Sequence, residues 1–214
     1  MSREKAPPKP PSDASKKTFC RQCRLMYDRR LVCGSGGNLA LRNGGRILLS
    51  PTGHSLRALQ PAQVAVTDGD GHLIEGLRPT REAGMHLAVL RARPDVHAVC
   101  HTHGAAIIAA SSLLTPGPES LPPITPGFAL CAHPLPLIPY FTPGSNELSA
   151  AVAEILGSGG RQAVLLQNHG LVTTGRDFDE AFNVAEEVEE AAHAYLLARG
   201  KARFLTSADL DRLK

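Results

Sequence analysis

The chain has 214 residues, of which 43% are hydrophobic and 20% charged, with a net charge of +3; this length and composition suit one well-buried domain. Residues 1–17 hold Arg3, Lys5, Lys9, Lys16 and Lys17 against Glu4 and Asp13, which leaves 18 basic and 18 acidic residues in the remainder. A neutral body argues against a nucleic-acid-binding surface, and no apolar run approaches the length of a membrane span.

Pro7, Pro8, Pro10 and Pro11 lie among acids and bases with no apolar core of a signal sequence. Residues 1–16 therefore read as a disordered tail, residues 17–214 as a single domain, and the protein as cytoplasmic. Five cysteines without regular spacing read as reduced thiols. Cys20 and Cys23 have the spacing of a redox or metal pair, but fall in an expected helix with no second pair to complete a zinc site.

That helix is expected from about Ser15 to Leu31, with Phe19, Leu25, Met26 and Leu31 as its apolar stripe. Gly34-Ser35-Gly36-Gly37-Asn38 follows, then a strand over Leu39 to Arg42. Glycines free the backbone to aim N–H groups at an anion, and Ser35 and Asn38 add side-chain donors, so the segment is a candidate phosphate cradle. A plain turn from helix to strand would look the same. Arg46 to Leu49 and Val64 to Thr67, with turn signals at Ser50-Pro51-Thr52-Gly53 and Asp68-Gly69-Asp70-Gly71, predict antiparallel strands. Thr80 is a candidate N-cap for a helix that ends at Pro94, with Arg81 and Glu82 in its first turn.

Val96 to Cys100 predicts a buried strand that runs into His101-Thr102-His103. Residues two apart on a strand share a face and lie roughly 6–7 Å apart, so both imidazoles can turn onto one ion. Two polar core histidines held by hydrogen bonds are the plainer alternative. Gly104 to Leu114 predicts a helix; the prolines between 116 and 126 predict an irregular crossing loop, and Leu135 to Tyr140 an edge strand. Ser145 caps the next helix, and Ala163 to Leu166 forms an apolar strand that delivers His169. Leu171 to Thr174 continues as a strand, and Asp177 with Glu180 opens a long helix through Tyr195. Strands flanked by helices in both halves give an α/β layered domain.

Gly34-Ser35-Gly36-Gly37-Asn38, Ser50-Pro51-Thr52-Gly53, Glu82, His101-Thr102-His103 and Asn168-His169-Gly170, in this order, resemble the class II aldolase/adducin family from about residue 18 onward. The resemblance implies a three-layer α/β/α fold around a mixed, mainly antiparallel sheet. It implies a divalent ion, Zn2+ or a relative such as Mn2+, Co2+ or Fe2+, held by His101, His103 and His169. Glu82 would bind that ion at rest and move a proton once substrate displaces it. Ser35, Asn38, Thr52, Gly53 and Thr80 would form the phosphate pocket, in a homotetramer with active sites between subunits. Thr80-Arg81 replaces the paired serines of the family's fuculose-phosphate aldolases, and Thr125-Pro126 replaces their catalytic tyrosine. Both features are similar to its 3-oxo-tetronate 4-phosphate decarboxylases, although Gly127 stands where those have a bulky aromatic residue. The reading is thus a metal-dependent lyase acting on a small phosphorylated sugar or sugar acid through a stabilised enolate, with decarboxylation preferred to aldol cleavage. Arg81 would then pair with phosphate or carboxylate. A catalytically silent, adducin-like assembly module is the alternative, and loss of the metal ligands would be its mark.

Overall fold

Residues 10–213 are described by the computed structural model. Helix α1 (Asp13–Asp28) opens at Ser12, whose hydroxyl accepts a hydrogen bond from Ser15 N, and turns Lys16, Phe19, Cys20, Cys23 and Met26 inward. The inward face thus steps by three and four through the two cysteines, whereas Leu25, expected in the stripe, is 40% exposed. All five cysteines are free. The tail boundary expected at residue 16 falls inside this helix, where buried Lys16 pairs with Glu75; residues 1–9 of that tail lie outside the described residues.

Strands β1 (Asn38–Asn43) and β2 (Arg46–Leu49) form one hairpin, and β3 (Ala65–Thr67) pairs with β4 (Leu73–Glu75) as another. Then come α2 (Ala83–Ala92), β5 (Ala98–Thr102), α3 (Ala105–Leu113), β6 (Gly117–Leu121), α4 (Pro126–Cys131), β7 (Leu135–Ile138) and α5 (Asn146–Gly157). The chain closes with β8 (Ala163–Leu166), β9 (Gly170–Gly175), α6 (Phe178–Leu197) and α7 (Ser207–Leu213). The strands form one sheet in the order β4-β3-β2-β1-β5-β9-β8-β7-β6. Every neighbouring pair is antiparallel except β7 and β8.

Period-two alternation sorts the side chains of this sheet into two cores. Leu39, Leu48, Val66, Cys100, Leu165 and Leu171 pack with α1, α3, α4 and α6. Their chain neighbours Ala40, Leu49, Ala65, Val99, Val164 and Val172 pack with α2 and α5 on the opposite face. Each such fully buried Leu or Val contributes about 1.5–3 kcal/mol relative to exposure, so both faces must be covered and the three-layer α/β/α architecture follows. Among the described residues no helix is long and apolar enough to cross a membrane.

The proline-rich segment departs from expectation. It contains β6 at the sheet's edge and then α4, where Thr125 caps the helix by accepting from Phe128 N and Pro126 takes the first turn. A proline at N1 loses no helical hydrogen bond. As a result β7, expected at the edge, lies one strand in, and its ladder with β6 is irregular between the two pairs that flank Pro136.

Candidate metal centre and substrate pocket

His101 lies on β5 two residues beyond Val99, so the alternation that sends Val99 toward α2 and α5 sends His101 the same way. Its cross-strand partners are Asn38, at the start of β1, and Val172 on β9. His103 follows where the strand ends, its N–H donated to Leu31 O at 2.7 Å. His169 comes from the turn between β8 and β9, in which Asn168 takes a φ of 54°, a left-handed conformation that Asn tolerates. Glu82 is the N-cap of α2. This corrects the expected start: the Thr80 hydroxyl accepts a hydrogen bond from Glu82 N at 3.3 Å, and the helix begins at Ala83.

The four side chains meet at one point. His101 Nε2 lies 2.8 Å from His103 Nε2, 3.3 Å from His169 Nε2 and 3.2 Å from Glu82 Oε2, while His169 Nε2 lies 3.4 Å from Glu82 Oε1. His101 Nδ1 donates to Leu171 O at 3.0 Å, which leaves its Nε2 lone pair facing the other ligands. Burial, with His101 beside it, lowers the His103 imidazole to about 3, and the same causes lower His169 to about 4. Burial alone would raise the Glu82 carboxyl, but the neighbouring His101 imidazole, the Asn38 amide and the His169 imidazole hold it below the usual carboxylate range. Three imidazole nitrogens and one carboxylate at these distances are a donor set that a zinc-type divalent cation fits.

Above this point opens a cavity of about 490 Å³. Ser35, Asn38, Thr52, Gly53, Thr80 and Arg81 all line it, together with Glu82, His103 and His169. Three loops separated in sequence are stitched to build its wall. Ser50 N donates to Leu39 O and Ser50 Oγ accepts from Leu39 N, both at 3.1 Å; Thr52 N donates to Arg78 O at 3.1 Å, and Thr80 N to Ser50 O at 2.9 Å. Gly36 closes against the centre, where an added Cβ would lie 2.7 Å from His103 Nδ1. Arg81 is exposed at the rim, whereas Thr80 and Asn38 are buried. Asn38 is more than a pocket donor: its Nδ2 donates to Glu82 Oε2 at 2.9 Å, and its Oδ1 contacts His86 Nε2. His86 was not anticipated from the sequence. Its position one turn after Glu82, between Met85 and Leu87, was the available signal.

Residues 17–196 match the family described as class II aldolase and adducin N-terminal domain. The chain belongs to that family. Among class II aldolase relatives, an L-fuculose phosphate aldolase from Methanococcus maripaludis is 37% identical over 81% of this chain and 92% of its own. A 3-oxo-tetronate 4-phosphate decarboxylase from Haemophilus influenzae is 34% identical over 94% of this chain and 96% of its own. The crystal structure of YgbL from Escherichia coli superposes with a TM-score of 0.88 at 31% identity, over 94% of this chain and 98% of YgbL.

Of the positions singled out in the sequence as distinguishing members of the family, Thr80 and Arg81 line the cavity, whereas Thr125, the N-cap of α4, and Pro126 and Gly127 within that helix do not. The space beside Gly127 is filled by the Glu187 carboxylate of α6, which an added Cβ would strike.

Proposed function

We propose that the chain is a divalent-metal-dependent carbon–carbon lyase that decarboxylates a small phosphorylated 3-oxo sugar acid of the 3-oxo-tetronate 4-phosphate type. The observation that carries this reading is that Glu82, His101, His103 and His169 converge below a cavity lined by Ser35, Thr52, Gly53, Thr80 and Arg81. Groups suited to a cation and groups suited to an anion thus share one space. The three imidazoles and Glu82 would hold the ion, with Zn2+ preferred to Mn2+ or Co2+, and when bound it supplies Lewis-acid stabilisation of charge on a carbonyl oxygen.

In such a substrate the C1–C2 bond breaks, carbon dioxide leaves, and the electron pair stays on C2 beside the C3 carbonyl. One proton delivered to C2 completes the product. Glu82 is the carboxylate within reach to hold and deliver it. Ser35, Thr52 and Thr80 hydroxyls, the Gly53 N–H and the second amide hydrogen of Asn38 bind phosphate, and the Arg81 guanidinium pairs with phosphate or carboxylate.

Retro-aldol cleavage of a ketose phosphate is the second reading, favoured by the aldolase relatives. It leaves the same kind of electron pair, but a hydroxyl of the departing aldehyde must first lose its proton to a further base. Among the described residues lining the cavity, the groups able to carry a proton are Glu82, His103 and His169, all of them in the proposed metal group; decarboxylation asks one proton transfer of that group and retro-aldol cleavage two, which favours decarboxylation. An adducin-like module without catalysis is disfavoured by the complete ligand set. A homotetramer is part of the proposal, supported by exposed Leu73 and Ile74 on the edge strand β4 and by Leu77 just beyond it. Light scattering tests it.

The deciding assay measures carbon dioxide and aldehyde release from the zinc-loaded protein over phosphorylated 3-oxo acids and ketose phosphates. Carbon dioxide from an oxo acid is expected. Faster aldehyde release from any ketose phosphate installs the aldolase reading, and neither product from a stoichiometrically metallated protein installs the non-catalytic one.

A further inference from the structure

His86 is fully buried beneath the metal centre and has no part in the chemistry described so far. It lies on α2 one turn after Glu82, so the two side chains share a helix face. Among the described residues its Nδ1 has no hydrogen-bond partner, and its Nε2 contacts Asn38 Oδ1. A neutral imidazole has one N–H to place. With nothing opposite Nδ1, that hydrogen belongs on Nε2, where the Asn38 oxygen accepts it.

This donor decides which way the Asn38 amide faces. An amide presents its oxygen on one side and its NH2 on the other; with the oxygen held by His86, the NH2 meets Glu82 Oε2 at 2.9 Å. The reversed amide would set its oxygen against the carboxylate and an N–H against the His86 N–H, leaving both contacts repulsive. Glu82 itself has one oxygen toward His101 and Asn38 and the other toward His169, with no hydrogen-bond donor on Oε1 among the described residues. Of these contacts the Asn38 amide is the one made by a donor outside the metal group, and it holds the rotation of this carboxylate.

We propose that His86 is a positioning residue: through Asn38 it sets the orientation of the Glu82 carboxylate, and with it the affinity of the centre for its cation. The proposal rests on the metal-centre reading above and concerns a residue that touches neither ion nor substrate. A buried histidine that merely fills its site would affect stability alone; a positioning one affects the metal, and does so only while Asn38 is present.

The test measures zinc affinity by chelator competition and the visible spectrum of the cobalt-loaded protein, with the melting temperature of each apoprotein recorded alongside. His86→Met removes the donor at similar volume and is expected to weaken zinc binding about 10–100-fold and to change the cobalt bands. His86→Gln, whose amide can donate to Asn38, is expected to stay within about threefold of wild type. In an Asn38→Ala background, His86→Met is expected to add less than about twofold, as residues acting in series require. His86→Leu is the second donor-free variant should the thioether unfold the apoprotein. Wild-type affinity and an unchanged cobalt spectrum in the donor-free variant overturn the proposal, as does an undiminished effect without Asn38. A wild type that binds no zinc overturns the metal-centre reading itself.

Discussion

Gly36→Ala separates the metal centre from the fold with one methyl group. The Gly36 backbone is outside the left-handed region, so alanine meets no conformational barrier there, and loss of glycine's freedom in the unfolded chain would by itself stabilise by about 0.4–1 kcal/mol. The new Cβ, however, lies 2.7 Å from His103 Nδ1 and 3.2 Å from Cys33 O. The ring must retreat by about 0.7 Å to reach ordinary contact, whereas a metal–ligand bond tolerates a displacement of about 0.2 Å. One imidazole of three is thus pulled off the centre, and an affinity loss of about 10–100-fold follows, or about 1.4–2.7 kcal/mol. Chelator competition with zinc reads the loss, and calorimetry of the apoprotein should show a melting temperature little changed, the restriction of the unfolded chain offsetting the close contact with Cys33 O. Gly53→Ala is the control: it lines the same cavity with open space around the missing Cβ, but its φ of +72° strains an alanine, so it should shift the loop, raise KM and lower the melting temperature without touching zinc affinity. Zinc affinity in Gly36→Ala within twofold of wild type would refute the reasoning.

Arg81→Ser should raise KM for the oxo acid about tenfold, the modest value that befits a guanidinium exposed at the rim, and Arg81→Lys should do so less; equal KM in all three removes Arg81 from substrate binding. Apoprotein stability should fall as pH drops below about 6.5. The folded state keeps His86 and His103 down at about 3 and His169 at about 4, so below that pH the unfolded chain binds protons that the folded one refuses. For fully buried His86 alone the slope approaches about 1.4 kcal/mol per pH unit; urea denaturation at pH 8, 6 and 5 measures it, and a flat profile contradicts the buried, neutral imidazoles. Deleting residues 1–9 should leave the melting temperature unchanged, whereas deleting 1–16 removes the Ser12 cap, worth about 1 kcal/mol, and the buried Lys16 with its Glu75 partner, and should lower it. Equal melting temperatures would mean that the first turn of α1 contributes nothing.

What was legible in the sequence follows from which interactions are local. Strands such as Ala163–Leu166 and the capped helices at Ser145 and Asp177 announce themselves through periodicity and side chains that bond within four residues. The His/Glu group that could hold a metal was readable in part because His101 and His103 stand two apart at the end of one apolar strand and His169 follows another. Prolines hid β6, since Pro118 is tolerable at an edge where one side of the strand needs no ladder, and that position is a property of the assembled sheet. The start of α2 moved from Thr80 to Glu82 because Thr80 is bound into the Ser50 loop, a contact made across 30 residues of chain. The link from His86 to Glu82 was out of reach for the same reason: it passes through Asn38, 48 residues from His86.

The cavity draws its two halves from different kinds of structure. His101 is fixed in the middle of a nine-stranded sheet, and His103 and His169 at its strand ends, whereas Ser35, Thr52, Gly53 and Arg81 stand on connecting loops. Loops accept substitution and changes of length far more readily than a sheet with both faces covered. A lineage can therefore exchange one phosphorylated substrate for another by rewriting loops while its bond-breaking centre stays as it was. Asn38 is the exception, because it heads a strand, lines the cavity and holds Glu82 at once. Any change of specificity made at that residue reaches the chemistry as well.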